Sequence, residues 1–108
     1  MSDTYTFLAD LATEAEIPRR GIHSQTISDD AGVELVLFAM AADERLSEHT
    51  SARPAIVHVL AGSGDLVVDG DAHTLAPGSW MRMRARTPHA LTAGAEGLVF
   101  ALYLLPSS

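Results

Sequence analysis

The stretch PAIVHVLAGSGDLVVDGDAHTLAPGSWMRMRA, residues 54–85, decides the fold. It divides into short β-forming runs at 54–61, 65–68, 72–75 and 79–84, separated by Gly62-Ser63-Gly64, Asp69-Gly70-Asp71 and Ala76-Pro77-Gly78. Asp-Gly between alternating apolar residues is a strong two-residue hairpin signal, because Gly accepts the positive φ that such turns demand. In the last run Met81-Arg82-Met83-Arg84 alternates apolar and basic, the period of a strand with one face buried. The simpler reading of that alternation sends the two methionines inward and the arginines to solvent; the alternative has one arginine clamping a carboxylate ligand.

Working outward, the same grammar continues on both sides. Residues 22–28 form a candidate strand closed by Asp29-Asp30-Ala31-Gly32, and residues 33–41, VELVLFAMA, are an almost unbroken apolar run rich in β-formers. After Thr87-Pro88, residues 89–92 and 98–105 read as strands flanking a turn between Gly94 and Gly97. Eight or nine short strands with turns every 8–12 residues indicate a sandwich or closed barrel. A barrel also removes exposed strand edges from so small a chain. The exception is the start: Phe7, Leu8, Leu11 and Ala15 recur at helical spacing before Pro18, which predicts a short amphipathic helix over about 4–16. With no repeat, linker or low-complexity segment, 108 residues read as one all-β domain, its barrel at about 21–105.

Composition excludes several chemistries. There is no Cys, so disulfides, thiolate nucleophiles and Cys-ligated metals are absent. All seven basic residues are arginines, which excludes a Schiff-base lysine. A formal charge of −7 argues against nucleic acid as partner. No apolar run approaches the ~20 residues of a bilayer span, so no membrane association is read. Residues 1–5 lack the basic start of a secretory signal, and a cytoplasmic location is the expectation.

Two segments carry a family resemblance. Residues 49–64, from His49 through Val57-His58-Val59-Leu60 to Gly62-Ser63-Gly64, resemble the first motif of the cupins, which runs His-x-His, a Glu four residues on, then an apolar strand ending in Val-Leu-x-Gly. Leu75-Ala76-Pro77-Gly78, the strand after it and Thr87-Pro88-His89 resemble the second. The resemblance spans about residues 35–105 and implies an all-β double-stranded β-helix, the jelly-roll (RmlC-like) barrel, with His49 and His89 converging on one interior pocket. It departs from the pattern where the second motif histidine falls on Ser51 and the glutamate on Ala55, and Arg84 and Arg86 stand where the family often has Pro and Gly.

The resemblance implies a divalent transition metal (Fe, Mn, Ni, Cu or Zn) on His49 and His89, the softness of imidazole suiting any of these. His58 is the third expected ligand. Nine residues from His49, it would fall on the opposite face of one unbroken strand, but Pro54 interrupts the count. Met40, Met81, Met83 and Phe100 are expected to line the pocket, whereas His23 and His73 are expected at the surface. Two functions follow: a metal-dependent small-molecule enzyme of dioxygenase, isomerase or lyase type, or a metal-free module that binds or senses a small ligand. Residues 33–41 and 98–105 are apolar on both faces, so something must cover the barrel's outside, and a homodimer is expected.

Overall fold

A computed structural model describes residues 4–107. Seven strands follow one short helical turn: β1 (Ile22–Asp30), β2 (Val33–Met40), β3 (Arg45–His49), β4 (Ala55–Val68), β5 (Asp71–Leu75), β6 (Trp80–Met83) and β7 (His89–Leu104). Every strand pairing is antiparallel. The all-β architecture expected from the turn spacing, and the jelly roll that the resemblance implies, are the ones found.

The strand count is lower than the turn signals suggest because two pairs of short strands are fused. The runs expected at 54–61 and 65–68 fuse, from Ala55 on, into one bent strand, β4, and those at 89–92 and 98–105 fuse, as far as Leu104, into another, β7. These two run antiparallel along their whole length, Ala55 opposite Leu104 at one end and Val68 opposite His89 at the other. Register shifts at Val59/Ala61 and Gly62/Gly64 bend the pair in the middle. Bulges of this kind increase twist and turn a strand from one layer to another.

Gly62 shows why the bend is written in glycine. Its φ is +82°, and a Cβ added there would collide with the backbone carbonyl of Gly97, across the bend on β7. Both requirements, left-handed backbone and close backbone approach, suit only a residue without a side chain.

Beyond the bend each half collects its own neighbours. The first half of β4 pairs β6 and the last half of β7, which in turn pairs β2 and then β1. The second half of β4 pairs β5 and the first half of β7, which pairs β3. Side chains from both groups meet in one core, where Val57, Val59, Met83 and Phe100 pack with Leu66, Leu75 and Leu91. Phe100 is 2% exposed and stacks on Phe38 with centroids 4.9 Å apart.

The expected N-terminal helix is corrected to a single 3-10 turn, Leu11–Glu14, capped by the Asp10 carboxylate accepting from the Ala12 N–H at 3.1 Å. Only half of the expected apolar stripe finds a surface. Leu11 and Ala15 pack on Leu37, Ala39 and Val99, whereas Phe7 is 76% exposed. A helix this short gains its stability from burying a face, and here the segment instead lies along the outside of β2 and β7. This also explains part of the two-faced apolar character of those strands, since the chain's own N-terminal segment covers the patch. Among the described residues, no helix is long and apolar enough to cross a membrane.

Candidate functional site

His49 ends β3 and His89 begins β7, and the two stand directly opposite each other in the ladder. Residues opposite one another across antiparallel strands share a face, so the backbone alone brings the imidazoles together. Their ring centroids lie 4.2 Å apart, with planes tilted by 58°. His49 is exposed, whereas His89 retains 6% of its accessible surface.

Each ring is fixed in the same way. The Nδ1 of His49 donates to the carbonyl of Ser47 at 2.7 Å, and the Nδ1 of His89 donates to the carbonyl of Thr87 at 2.8 Å. A carbonyl oxygen only accepts, so Nδ1 carries the hydrogen in both rings, and Nε2 of a neutral ring presents its lone pair. Burial pulls the His89 imidazole below its ordinary value of 6.5; the bond to the Thr87 carbonyl opposes this, and the neighbouring His49 adds to it. At neutral pH His89 is therefore an uncharged hydrogen-bond acceptor at Nε2.

The loop before His89 is tied to the loop after His49. The Arg86 N–H donates to the Ser51 carbonyl at 2.7 Å, and the Thr87 hydroxyl donates to the Arg84 carbonyl at 2.8 Å. Arg86 holds φ +64°, a left-handed conformation that costs a non-glycine residue about 1–2 kcal/mol. Pro88 restricts Thr87 to extended backbone, which sets the carbonyl that receives the His89 ring.

The remaining donors expected of a metal set are elsewhere. Ala55, where the resemblance implies a glutamate, is 1% exposed within the core and carries no donor. The Ser51 hydroxyl accepts from the Arg53 N–H at 3.1 Å. His58 pairs with Trp80 on β6 and Ala101 on β7. Because Ala55, Val57 and Val59 are the buried, inward positions of β4, alternation sends His58 to the outer face, away from His49 and His89. Among the described residues, no group of three or more His, Asp, Glu or Cys is arranged to hold a metal ion. Two imidazoles without a third ligand do not fit the cofactor that the resemblance implies.

A cavity of about 320 Å³ lies between the two strand groups. Val57, Val59 and Met81 form one wall, and Leu66, Val68 and Leu75 the other. The volume is within the range of small-molecule sites, which are mostly apolar with a few polar groups that fix orientation. His49 and His89 are not among its walls, but Val68 is, and Val68 lies directly opposite His89 on the adjoining strand. The histidine pair thus continues the same sheet face past the end of the cavity. Of the residues expected to line a pocket, Met81 does so, whereas Met40, Met83 and Phe100 are packed into the core.

Sequence reasoning placed His73 in solvent, and its exposure is high, yet it borders the cavity together with Thr74, Ser79 and Trp80. The signal that could have found it is parity. The Asp69-Gly70 hairpin sets Val68 opposite Asp71, so His73 falls opposite Leu66 on the inward face. His23 is exposed on β1, as expected.

The model of the cupin domain matches residues 36–103. No curated protein is similar to the chain in sequence. Among solved structures, a conserved protein of unknown function from Streptococcus pyogenes superimposes with a TM-score of 0.82 at 24% identity, covering 96% of this chain and 90% of its own. A cupin superfamily protein from Desulfitobacterium hafniense gives 0.81 at 22% identity, covering 90% and 88%. A cupin 2 conserved barrel domain protein from Leptotrichia buccalis gives 0.80 at 27% identity, covering 88% of this chain but 46% of that protein.

Proposed function

The chain belongs to the cupin domain family, and within that fold we propose that it is a metal-free binding domain for a small, largely apolar molecule bearing a hydroxyl or N–H group. The apolar body occupies the cavity between the strand groups, and its donor group reaches the histidine pair. The observation that carries this reading is the anchoring of both Nδ1 atoms on backbone carbonyls. It leaves Nε2 as the uncommitted nitrogen of each ring, on the sheet face that runs on from the apolar cavity. Among the described residues no group of three or more metal-ligating side chains is arranged to hold a metal.

The test uses linear alcohols as probes, titrated into the protein while methyl signals of Val57, Leu66 and Val68 and the imidazole ¹⁵N signals are followed by NMR. Binding should shift both sets, and His89→Ala should weaken it about fivefold, the worth of one net hydrogen bond of ~1 kcal/mol. Unchanged affinity in both His49→Ala and His89→Ala would overturn the assignment of the pair to the ligand. Stoichiometric, tight uptake of a divalent transition metal in a calorimetric titration would restore the metal-dependent enzyme reading instead.

The outer face of the first strand group supports a second element of the proposal, a homodimer. Leu35, Ile56, His58 and Tyr103 are half-buried there, outside the patch that Leu11 and Ala15 cover. Light scattering at micromolar concentration should give twice 11.5 kDa, and Ile56→Glu should return the mass to that of one chain.

A further inference from the structure

The histidine pair continues the sheet face past one end of the cavity, beside Val68, whereas His73 borders the cavity itself and has no place in the motifs by which the family is identified. We propose that His73 is the second polar anchor of the ligand, so that the site takes an apolar molecule with a hydrogen-bonding group at each end. This rests on the reading of the cavity as a ligand site and narrows the ligand's chemistry.

Three observations carry it. First, His73 borders the cavity and lies opposite Leu66, on the inward face of β5. Second, its imidazole is uncommitted: among the described residues no hydrogen bond or ion pair engages it, in contrast to the carbonyl-anchored rings of His49 and His89. Third, its polar neighbours are less suited to the task. The Ser79 oxygen accepts from the Ala76 N–H at 3.0 Å, which ties the hydroxyl to the turn before β6. Thr74 lies opposite Asp65, on the outward parity of the hairpin.

The ladder also sets the span. His89 and His73 are separated by β4, with Leu91 and Leu66 in the row that carries His73 and Val68 in the row of His89. Two strand spacings of ~4.8 Å across and one two-residue step of ~6.8 Å along place their Cα atoms about 12 Å apart. The surface between them, Leu66 and Val68, is apolar and belongs to the cavity wall. A ligand that satisfies both imidazoles must therefore be apolar in the middle and polar at its ends.

Linear diols hydroxylated at both ends, compared with mono-alcohols of the same chain length, test this in the NMR titration described above. At one chain length the diol should bind about fivefold more tightly than its mono-alcohol, the gain of one net hydrogen bond. His73→Ala should erase that gain and leave the mono-alcohol unchanged, His73→Gln should restore part of it, and His89→Ala should weaken both probes. A diol advantage that survives His73→Ala would overturn the anchor while leaving the cavity's function standing. If neither series moved the cavity methyls, the anchor and the binding function would fall together.

Discussion

Replacing Gly62 by Ala separates the two demands that the bend in β4 makes on the chain. The left-handed φ of +82° costs an L-residue about 1–2 kcal/mol. The new Cβ meets the Gly97 carbonyl, whose backbone is held in place because Gly62 itself pairs with Leu98. Relief requires the two strands to part, an overpacking cost of about 1–3 kcal/mol. The sum, about 2–5 kcal/mol, is a large part of the 5–15 kcal/mol by which a domain is stable. Gly70 supplies the control: its φ is +84°, but nothing lies within 4 Å of an added Cβ, so Gly70→Ala should cost only the conformational part. In urea, with a slope of about 2 kcal/mol/M for a protein of this size, the Gly62→Ala midpoint should fall by roughly 1–2.5 M and that of Gly70→Ala by less than about 1 M. Equal shifts would refute the argument that backbone approach, rather than φ alone, makes Gly62 necessary.

Acid should destabilise the fold through His89. Its folded value lies below 6.5, so the unfolded chain binds the proton more readily, and stability present above pH 6.5 falls as pH drops toward the folded value; urea midpoints against pH should show this slope, and His89→Gln should flatten it. Arg53→Ala should cost about 1–3 kcal/mol, because its guanidinium donates to the carbonyls of Gly32 at 2.6 Å, Leu104 at 3.0 Å and Leu105 at 2.9 Å and joins the C-terminal end to the β1–β2 turn. Arg53→Lys should recover little of that loss, since one ammonium cannot reproduce the fork. Phe100→Ala should cost about 3–5 kcal/mol in the same assay, from lost burial and the cavity left beside Phe38.

The fold was legible because its turns are written in residues with a single physical use. Asp69-Gly70 closes the β4–β5 hairpin where its dipeptide signal places it, and Ala76-Pro77-Gly78 separates β5 from β6. What misled was reading every glycine cluster as a strand end. Gly62-Ser63-Gly64 and the Gly94–Gly97 segment bend strands that continue, a distinction that depends on two distant backbones touching. Residues 4–16 show the opposite limit, since helical periodicity is not enough when the segment is too short to repay nucleation.

The meeting of His49 and His89 was legible in the sequence, and the placement of the side chains around them was less so. His49 and His89 meet because each sits where a motif places it, and their pairing follows from the ladder. His58 turned outward because the inward positions of β4 are already taken by Ala55, Val57 and Val59, so parity held across Pro54. His73 is exposed, as expected, and the same count carried around the Asp69-Gly70 turn also puts it on the face that borders the cavity. Met40, Met83 and Phe100 are inside, as expected, but dense packing with their neighbours leaves them no free surface to offer a ligand.

The shared ladder of β4 and β7 also constrains motion. Because each strand belongs to both groups, the halves of the barrel cannot swing apart like the covers of a book without breaking the β4–β7 pairing that runs, through two register shifts, from Ala55 to Val68. β5 and β6, by contrast, are each held by β4 alone, and both border the cavity. These two strands should therefore be among the least protected of the barrel, their amide hydrogens exchanging with solvent well before those of the β4–β7 spine.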